Sequence, residues 1–303
     1  MTTLSLPAAS SLRASLFSLP VAFVLLWSTG YVVGKIGLPY AGPFTLLFLR
    51  FAVAALVLLV VALATRAPWP ASRAQVGHLV VVGLLFQALQ FGGLYTGLKL
   101  GVGAAVSALI VGTMPIFTAL GAGAFLGERI GLRQRIGLAA GLAGVALVVL
   151  ERIGSGTSAG SAGLAGYGAC VLALAGITLG TLYQKRFCTG MDLRTGSFVQ
   201  LSAASIVALV LAVGVEGLAV RWTPGLLFAT GWLSIVNSIG GFSLLFVMMR
   251  KNEANKVASL FYLIPGVTAF MGYVVLGERL GWVSVTGFVV CAGAVYVCTR
   301  GRT

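Results

Sequence analysis

"FLGERIG" at residues 125–131 and "VLGERLG" at residues 275–281 are nearly the same heptapeptide, offset by 150 positions. The chain has six acidic residues in all, and each copy holds one of them. Sliding the sequence on itself by the same offset aligns Pro115 with Pro265, Lys35 with Lys185, Gly30 with Gly180, Gly137 with Gly287, and Thr118-Ala119 with Thr268-Ala269. Matches at so regular an interval indicate an internal duplication. "GSGTSAGSAG", beginning at Gly154, has the composition of a flexible joint. The chain therefore reads as a first half over 1–153, a joint over 154–162 and a second half over 163–303. The joint's glycines do not form a phosphate loop, because no Lys-Ser/Thr follows and no strand precedes.

Hydrophobic residues make up 59% of the chain and charged ones 9%, against about half and about a quarter in an ordinary soluble domain. Apolar stretches of roughly 18–25 residues recur, each long enough to cross a hydrocarbon core about 30 Å thick. Alternating strand patterns are absent, so the stretches read as helices, which satisfy their own backbone in lipid. Ten are expected, over 18–37, 43–65, 76–98, 103–126, 132–150, 163–186, 195–217, 225–248, 254–277 and 280–299. No soluble domain is left over, and the fold class is an all-α integral membrane protein. The single Arg before the first apolar run resembles a secretory leader, but the spans behind it make that run a first transmembrane helix.

Five helices per half is an odd number, so the second half enters the membrane inverted relative to the first. The first GER turn then lies on one side and its copy on the other. Two inverted repeats around a central cavity form a transporter architecture, since such halves can exchange conformations and open one site to either side. The alternative is a duplication that only builds a stable bundle. In the GER turns themselves, glycine ends a helix and the charged pair holds a tight interfacial turn.

The net charge is +14. Nucleic-acid binding would need a basic face on a folded domain, and none is left here. Placing both termini in the cytoplasm puts fourteen of the twenty basic residues inside and only Lys35, Lys99, Arg152, Arg221 and Arg279 outside, as the positive-inside rule requires. Cys170, Cys188, Cys291 and Cys298 show no metal-binding or redox spacing and read as small buried hydrophobes. Nothing calls for a metal or a cofactor.

A polar side chain far from both membrane surfaces needs a partner or a water-filled cavity. Gln87 lies near the centre of the third span, and the repeat offset carries it to Asn237 near the centre of the eighth. Gln90 and Tyr95 accompany Gln87, and Ser234 and Ser238 accompany Asn237, at helical spacing. Carboxamides both donate and accept, which suits a zwitterionic or hydroxylated ligand; the alternative is that they bind helix to helix. Trp27, Tyr31, Tyr183 and Tyr262 can wall the same space, although Tyr31 and Tyr183 equally suit an interfacial belt. Pro115 and Pro265, alone in mid-span, are candidate hinges, because proline removes an internal hydrogen bond and kinks its helix. His78, the single histidine, is a candidate gating or proton-handling residue near the cytoplasmic start of the third span. All six carboxylates fall in loops or at helix ends, which argues against a carboxylate proton relay and against a site for organic cations. Arg50 reads as structural, reaching Glu278 on the same side.

"PFTLLFLRFAVAALVLL" from Pro43, "YTGLKLGVGAAVSALIVGTMPIFTALGAGAFLGERI" from Tyr95 and "NKVASLFYLIPGVTAFMGYVVLGERL" from Asn255 resemble the EamA-like exporters of the drug/metabolite transporter superfamily. The resemblance covers essentially the whole chain and, within the superfamily, is most similar to YddG-type amino-acid exporters. It implies ten helices in a basket around a central cavity in the bacterial inner membrane, and export of amino acids or related metabolites. Multidrug members with four helices per chain carry a Glu in the first helix, where this chain has Trp27, Ser28 and Thr29. Their proton-coupled mechanism is therefore not carried over. The remaining readings are efflux of other small amphiphiles and nucleotide-sugar exchange. A membrane-embedded enzyme would need a nucleophile with its base, a carboxylate pair or a metal cluster, and one histidine without a midplane acid supplies none of these.

Overall fold

The computed structural model describes residues 9–126, 132–154, 163–244, 248, 263–279 and 281–299. The described chain is helical almost throughout, and the ten expected spans correspond to ten helical segments. They are α1 (Ala9–Gly37), α2 (Pro43–Ala64), α3 (Arg73–Lys99), α4 (Ala104–Gly112 with Met114–Leu126), α5 (Leu132–Gly154), α6 (Gly163–Phe187), α7 (Leu193–Glu216), α8 (Pro224–Leu244), α9 (Leu263–Leu276) and α10 (Trp282–Thr299). Among described residues, seven segments are long and apolar enough to cross a bilayer, and α9 and α10 are apolar but shorter in their described parts. Large apolar side chains face outward, including Leu56, Val60, Ile206 and Val210, as expected where lipid is the solvent. The first GER turn, most of the joint and Tyr262 lie outside the described residues.

The helix neighbours carry the signature of the duplication. α2 lies along α7 and α5 along α10; α3 packs on α6 and α7 as α8 packs on α1 and α2; α4 touches α6 and α9, and α9 touches α1. Exchanging each helix for the one five places later leaves these pairings unchanged. Small residues permit the close crossings. A Cβ on Gly93 would meet the Ala169 carbonyl oxygen at 2.5 Å, and one on Gly144 the Gly287 carbonyl oxygen at 2.9 Å, the small-residue packing expected in lipid.

Local chemistry sets the helix ends. Proline stands at the first position of α2 and α8, and Thr223 caps α8 by accepting from the Leu226 N–H at 3.2 Å. Gly277 ends α9 with φ +67°, a left-handed conformation that glycine adopts without strain. The Glu278 N–H then reaches back to the Gly272 carbonyl at 3.1 Å, a six-residue closure that satisfies an orphan carbonyl. This accounts for the glycine of the GER motif.

Two departures from regular α-helix are repeat-related. π-helical turns occupy Gly83–Leu89 in α3 and Trp232–Gly241 in α8, and they contain Gln87 and Asn237 respectively. π-turns inside a helix frequently occur at functional sites. In α4 the helix breaks at Thr113, whose hydroxyl donates to the Ile110 carbonyl at 2.6 Å. Pro115 cannot donate to Val111, which explains the break two residues earlier.

Candidate functional site

α1, α2, α3 and α8 converge on a small cavity of about 20 Å³, room for about one water. Its polar lining comprises Arg50, Gln90, Asn237 and Tyr31, and its walls include Trp27, Phe91, Leu94 and Phe242. Trp27 and Phe242 meet edge to face at 5.3 Å between centroids. A larger cleft of about 220 Å³ lies between α4, α9 and α10, beside Pro265. It carries little recognition chemistry, because its single hydroxyl, that of Thr113, is already bonded within its own helix. By its chemistry the smaller cavity is therefore the candidate site, and a ligand of several atoms needs more room than it offers in this conformation.

Arg50 is the centre of this site. Its side chain enters the bundle from the eighth position of α2, about 10 Å along the helix from its start, and is only 1% exposed. Nε donates to Ser238 Oγ at 2.8 Å and Nη1 to Tyr95 Oη at 2.8 Å. The guanidinium also lies over the Phe91 ring, 4.2 Å from its centroid. Among the described residues no carboxylate pairs with it. The expected contact with Glu278 is not made: Glu278 pairs with Lys35 at 2.5 Å. The reason is reach, since Lys35 stands at the end of α1 beside α9 while Arg50 is two turns inside α2.

Asn237 uses one end of its carboxamide to hold α8 to α1. Nδ2 donates to the Leu26 carbonyl at 2.6 Å and to Thr29 Oγ1 at 3.4 Å, which fixes which end is nitrogen. Among the described residues its Oδ1 accepts nothing, nor does Oε1 of Gln90. Two residues whose buried acceptors have no donor among the described residues thus line the cavity together with Arg50, which has no carboxylate partner among them. Such groups are costly to bury unpaired.

The sequence-derived candidates distribute as follows. Trp27, Gln90 and Asn237 line the cavity directly, and Tyr95 and Ser238 hold Arg50 from behind. Gln87 is buried in the same π-turn that leads into Gln90, with Oε1 accepting nothing, but it is not part of that lining. His78 sits apart near the start of α3, with Nδ1 2.9 Å from Tyr183 Oη and its ring stacked on Phe187. Pro115 follows the break in α4, and Pro265 is buried in α9. Arg50 is the site residue that sequence reasoning assigns to another task. Its signal is a cation within a span with Ser238 and Tyr95, but no acid, at hand.

Comparison with known proteins agrees with this architecture. A solved crystal structure matches with a TM-score of 0.65 at 19% identity, covering 96% of this chain and 100% of the other, which supports the fold. The uncharacterized transporter YvbV of Bacillus subtilis is 26% identical over 90% of this chain and 87% of its own length. The uncharacterized inner membrane transporter YedA of Escherichia coli is 25% identical over 95% and 91%. A probable amino-acid metabolite efflux pump of Salmonella typhimurium is 25% identical over 93% and 94%. The EamA-like transporter model matches twice, over residues 15–150 and 164–300. With both halves of its helical basket matched, this chain belongs to the EamA-like transporter family and is a multi-pass membrane transporter rather than an enzyme.

Proposed function

We propose that this transporter exports amino acids or closely related small metabolites across a bacterial inner membrane by alternating access, down the substrate gradient. The observation that carries this reading is the cavity itself. A guanidinium, two free amide acceptors and an aromatic wall converge where the two repeats meet. That combination suits a small ligand with both polar and apolar parts. The likeness to an amino-acid metabolite efflux pump and the sequence's resemblance to YddG-type exporters point the same way. In this reading 1–153 and 163–303 are the moving halves, 154–162 is their joint, Pro115 and Pro265 are hinges, and both termini are cytoplasmic. Tyr262 is a further aromatic contact and Gln87 a contact made during exchange.

Release of radiolabelled amino acids from proteoliposomes, beside a nucleotide-sugar counterflow panel, tests the proposal. Amino-acid efflux above that of empty liposomes, persisting when an uncoupler collapses the proton gradient, is the expected result. Efflux that stops with the uncoupler at constant substrate gradient would replace passive export by proton coupling and direct attention to His78. Movement of nucleotide sugars alone would overturn the substrate class.

A further inference from the structure

Resting on the amino-acid reading, we infer that Arg50 is the residue that receives the substrate's α-carboxylate, while Asn237 Oδ1 and Gln90 Oε1 receive its ammonium. Three observations converge on it. The guanidinium has five N–H donors, of which one meets Ser238 and one meets Tyr95. The side chain is buried, lines the cavity and has no carboxylate partner among the described residues. A buried cation of this kind favours an anionic ligand group, above all a planar carboxylate that matches its fork.

The acceptors supply the other half of the argument. Asn237 and Gln90 are 6% and 1% exposed, both line the cavity, and their oxygens accept nothing. Because Asn237 commits Nδ2 to Leu26, its oxygen is left as the free end of the carboxamide, without a donor among the described residues. An ammonium has three N–H donors and no acceptor, so it answers both oxygens at once. Trp27 and Phe242 then remain for the substrate's side chain. Ser238 and Tyr95 are positioning residues that fix the fork.

The pattern also states what the site rejects. An amine without a carboxylate would bring a second positive charge beside Arg50 and leave the guanidinium unanswered. Decarboxylated amines and amino-acid amides are therefore poor substrates, and free zwitterions good ones. The oxygens that would accept from the ammonium come from two helices of opposite repeats, α3 and α8, while the carboxylate site belongs to α2. The repeat partner of Arg50 is Gln200, so the duplication left the cation in one half only.

The test uses the full chain in proteoliposomes. Each proteinogenic amino acid is first assayed for radiolabelled release, and each one released is competed with its own amide and with its decarboxylated amine. The amide and the amine are expected to compete at least about tenfold less well than the parent acid, the size expected for loss of one charged hydrogen-bonded contact. Arg50→Gln is expected to bring the acid-to-amide ratio to about one, whereas a merely structural role would weaken both equally and keep the ratio. Should Arg50→Gln not fold, the ligand series on the unaltered protein still decides. Amides or amines that compete as well as the parent acid overturn the inference while leaving amino-acid export standing. No release of any amino acid, with release of another metabolite class, overturns the export reading and this inference with it.

Discussion

Glu278 joins the two repeats through two kinds of contact at once. Its carboxylate accepts from Lys35 Nζ at 2.5 Å and from the Ala104 N–H at 2.9 Å, so the turn after α9 caps α4 and pairs with the end of α1. The cap stabilises more than the ion pair does. Removing an N-terminal cap costs about 0.5–2 kcal/mol, whereas a partly exposed ion pair contributes about 0–1 kcal/mol after solvent screening. Glu278→Ala is expected to lower the melting temperature clearly and Lys35→Met only slightly. Equal losses for the two variants in a thermal melt would show that the ion pair, not the cap, holds this end of the bundle.

A second carboxylate repeats the device on α2. Glu216, at the end of α7, accepts from the N–H groups of Phe44 and Thr45 at 2.9 and 2.8 Å. A Cβ on Gly42 would collide with its Oε2, although φ −62° at Gly42 suits any residue. Gly42→Ala therefore acts by displacing the carboxylate, and should cost about 0.5–2 kcal/mol, the size of a lost cap. In a Glu216→Ala background the same change should be nearly neutral. Additive losses in that double-mutant cycle would contradict the mechanism.

Asp192 gives a dependence on pH outside the membrane spans. It caps α7 by accepting from the Arg194 N–H at 2.9 Å and pairs with the Arg194 guanidinium at 2.8 Å. The side-chain hydrogen bond from Arg194 holds its carboxyl below the ordinary value of 3.8. A depressed carboxylate stabilises the fold fully above its unfolded value, and that contribution falls away as pH drops through the folded value. Asp192→Ala should cost about 0.5–2 kcal/mol near neutrality, with the gap to the parent constant down to about pH 5 and closing progressively below it as the unfolded chain protonates and then the folded carboxyl does. Melting curves for both proteins across that range check it, and a gap that narrows between pH 7 and pH 5 would contradict it.

These contacts mark the boundary between what is legible in the sequence and what is not. The repeat and the spans are legible because hydrophobic length and a doubled GER motif are local or periodic signals. The caps are not, since Glu216 and Glu278 cross 172 and 174 residues to reach their helices. The π-turns at Gly83–Leu89 and Trp232–Gly241 are equally hidden, because one extra residue per turn barely alters an apolar pattern. Asn237 is singled out by depth and the repeat offset, Gln90 by helical spacing beside Gln87 and Trp27 as an aromatic wall, and all three line the cavity. The expected contact between Arg50 and Glu278 fails because the partners of Arg50, Ser238 and Tyr95, are neutral, and charge matching leads to Glu278 instead.

The break in α4 makes a kinetic prediction. Pro115 lacks the donor that would bridge to Val111, and the helix restarts at Met114 after Thr113. Pro115→Ala restores that donor, and with proline costing up to about 3 kcal/mol in a helix interior, the variant should melt at a higher temperature. As a hinge, the straightened helix should also slow transport severalfold at unchanged substrate affinity. A faster or unaltered initial rate with a raised melting temperature would remove the hinge role.

The three midplane carboxamides should respond differently to leucine, and the differences separate ligand contact from helix binding. Gln90 lines the cavity and its Oε1 accepts nothing, so Gln90→Leu removes a ligand contact without stranding an internal partner. It should weaken substrate binding by about 0.5–1.5 kcal/mol, or up to about 3 if the ligand group is charged, at undiminished thermal stability. Asn237→Leu forfeits the same kind of ligand contact and also the bonds from Nδ2 to Leu26 and Thr29. Stability should therefore fall together with affinity, by about 0.6–2 kcal/mol for an interhelical bond in the bilayer. Gln87 buries an unanswered acceptor outside the cavity lining, so Gln87→Leu should leave affinity intact and the melting temperature equal or higher, and slow exchange. Measuring melting temperature and substrate affinity on all three variants distinguishes these patterns, and a Gln90→Leu protein that melts early yet binds as tightly as the parent would make Gln90 a strut between helices, not a ligand contact.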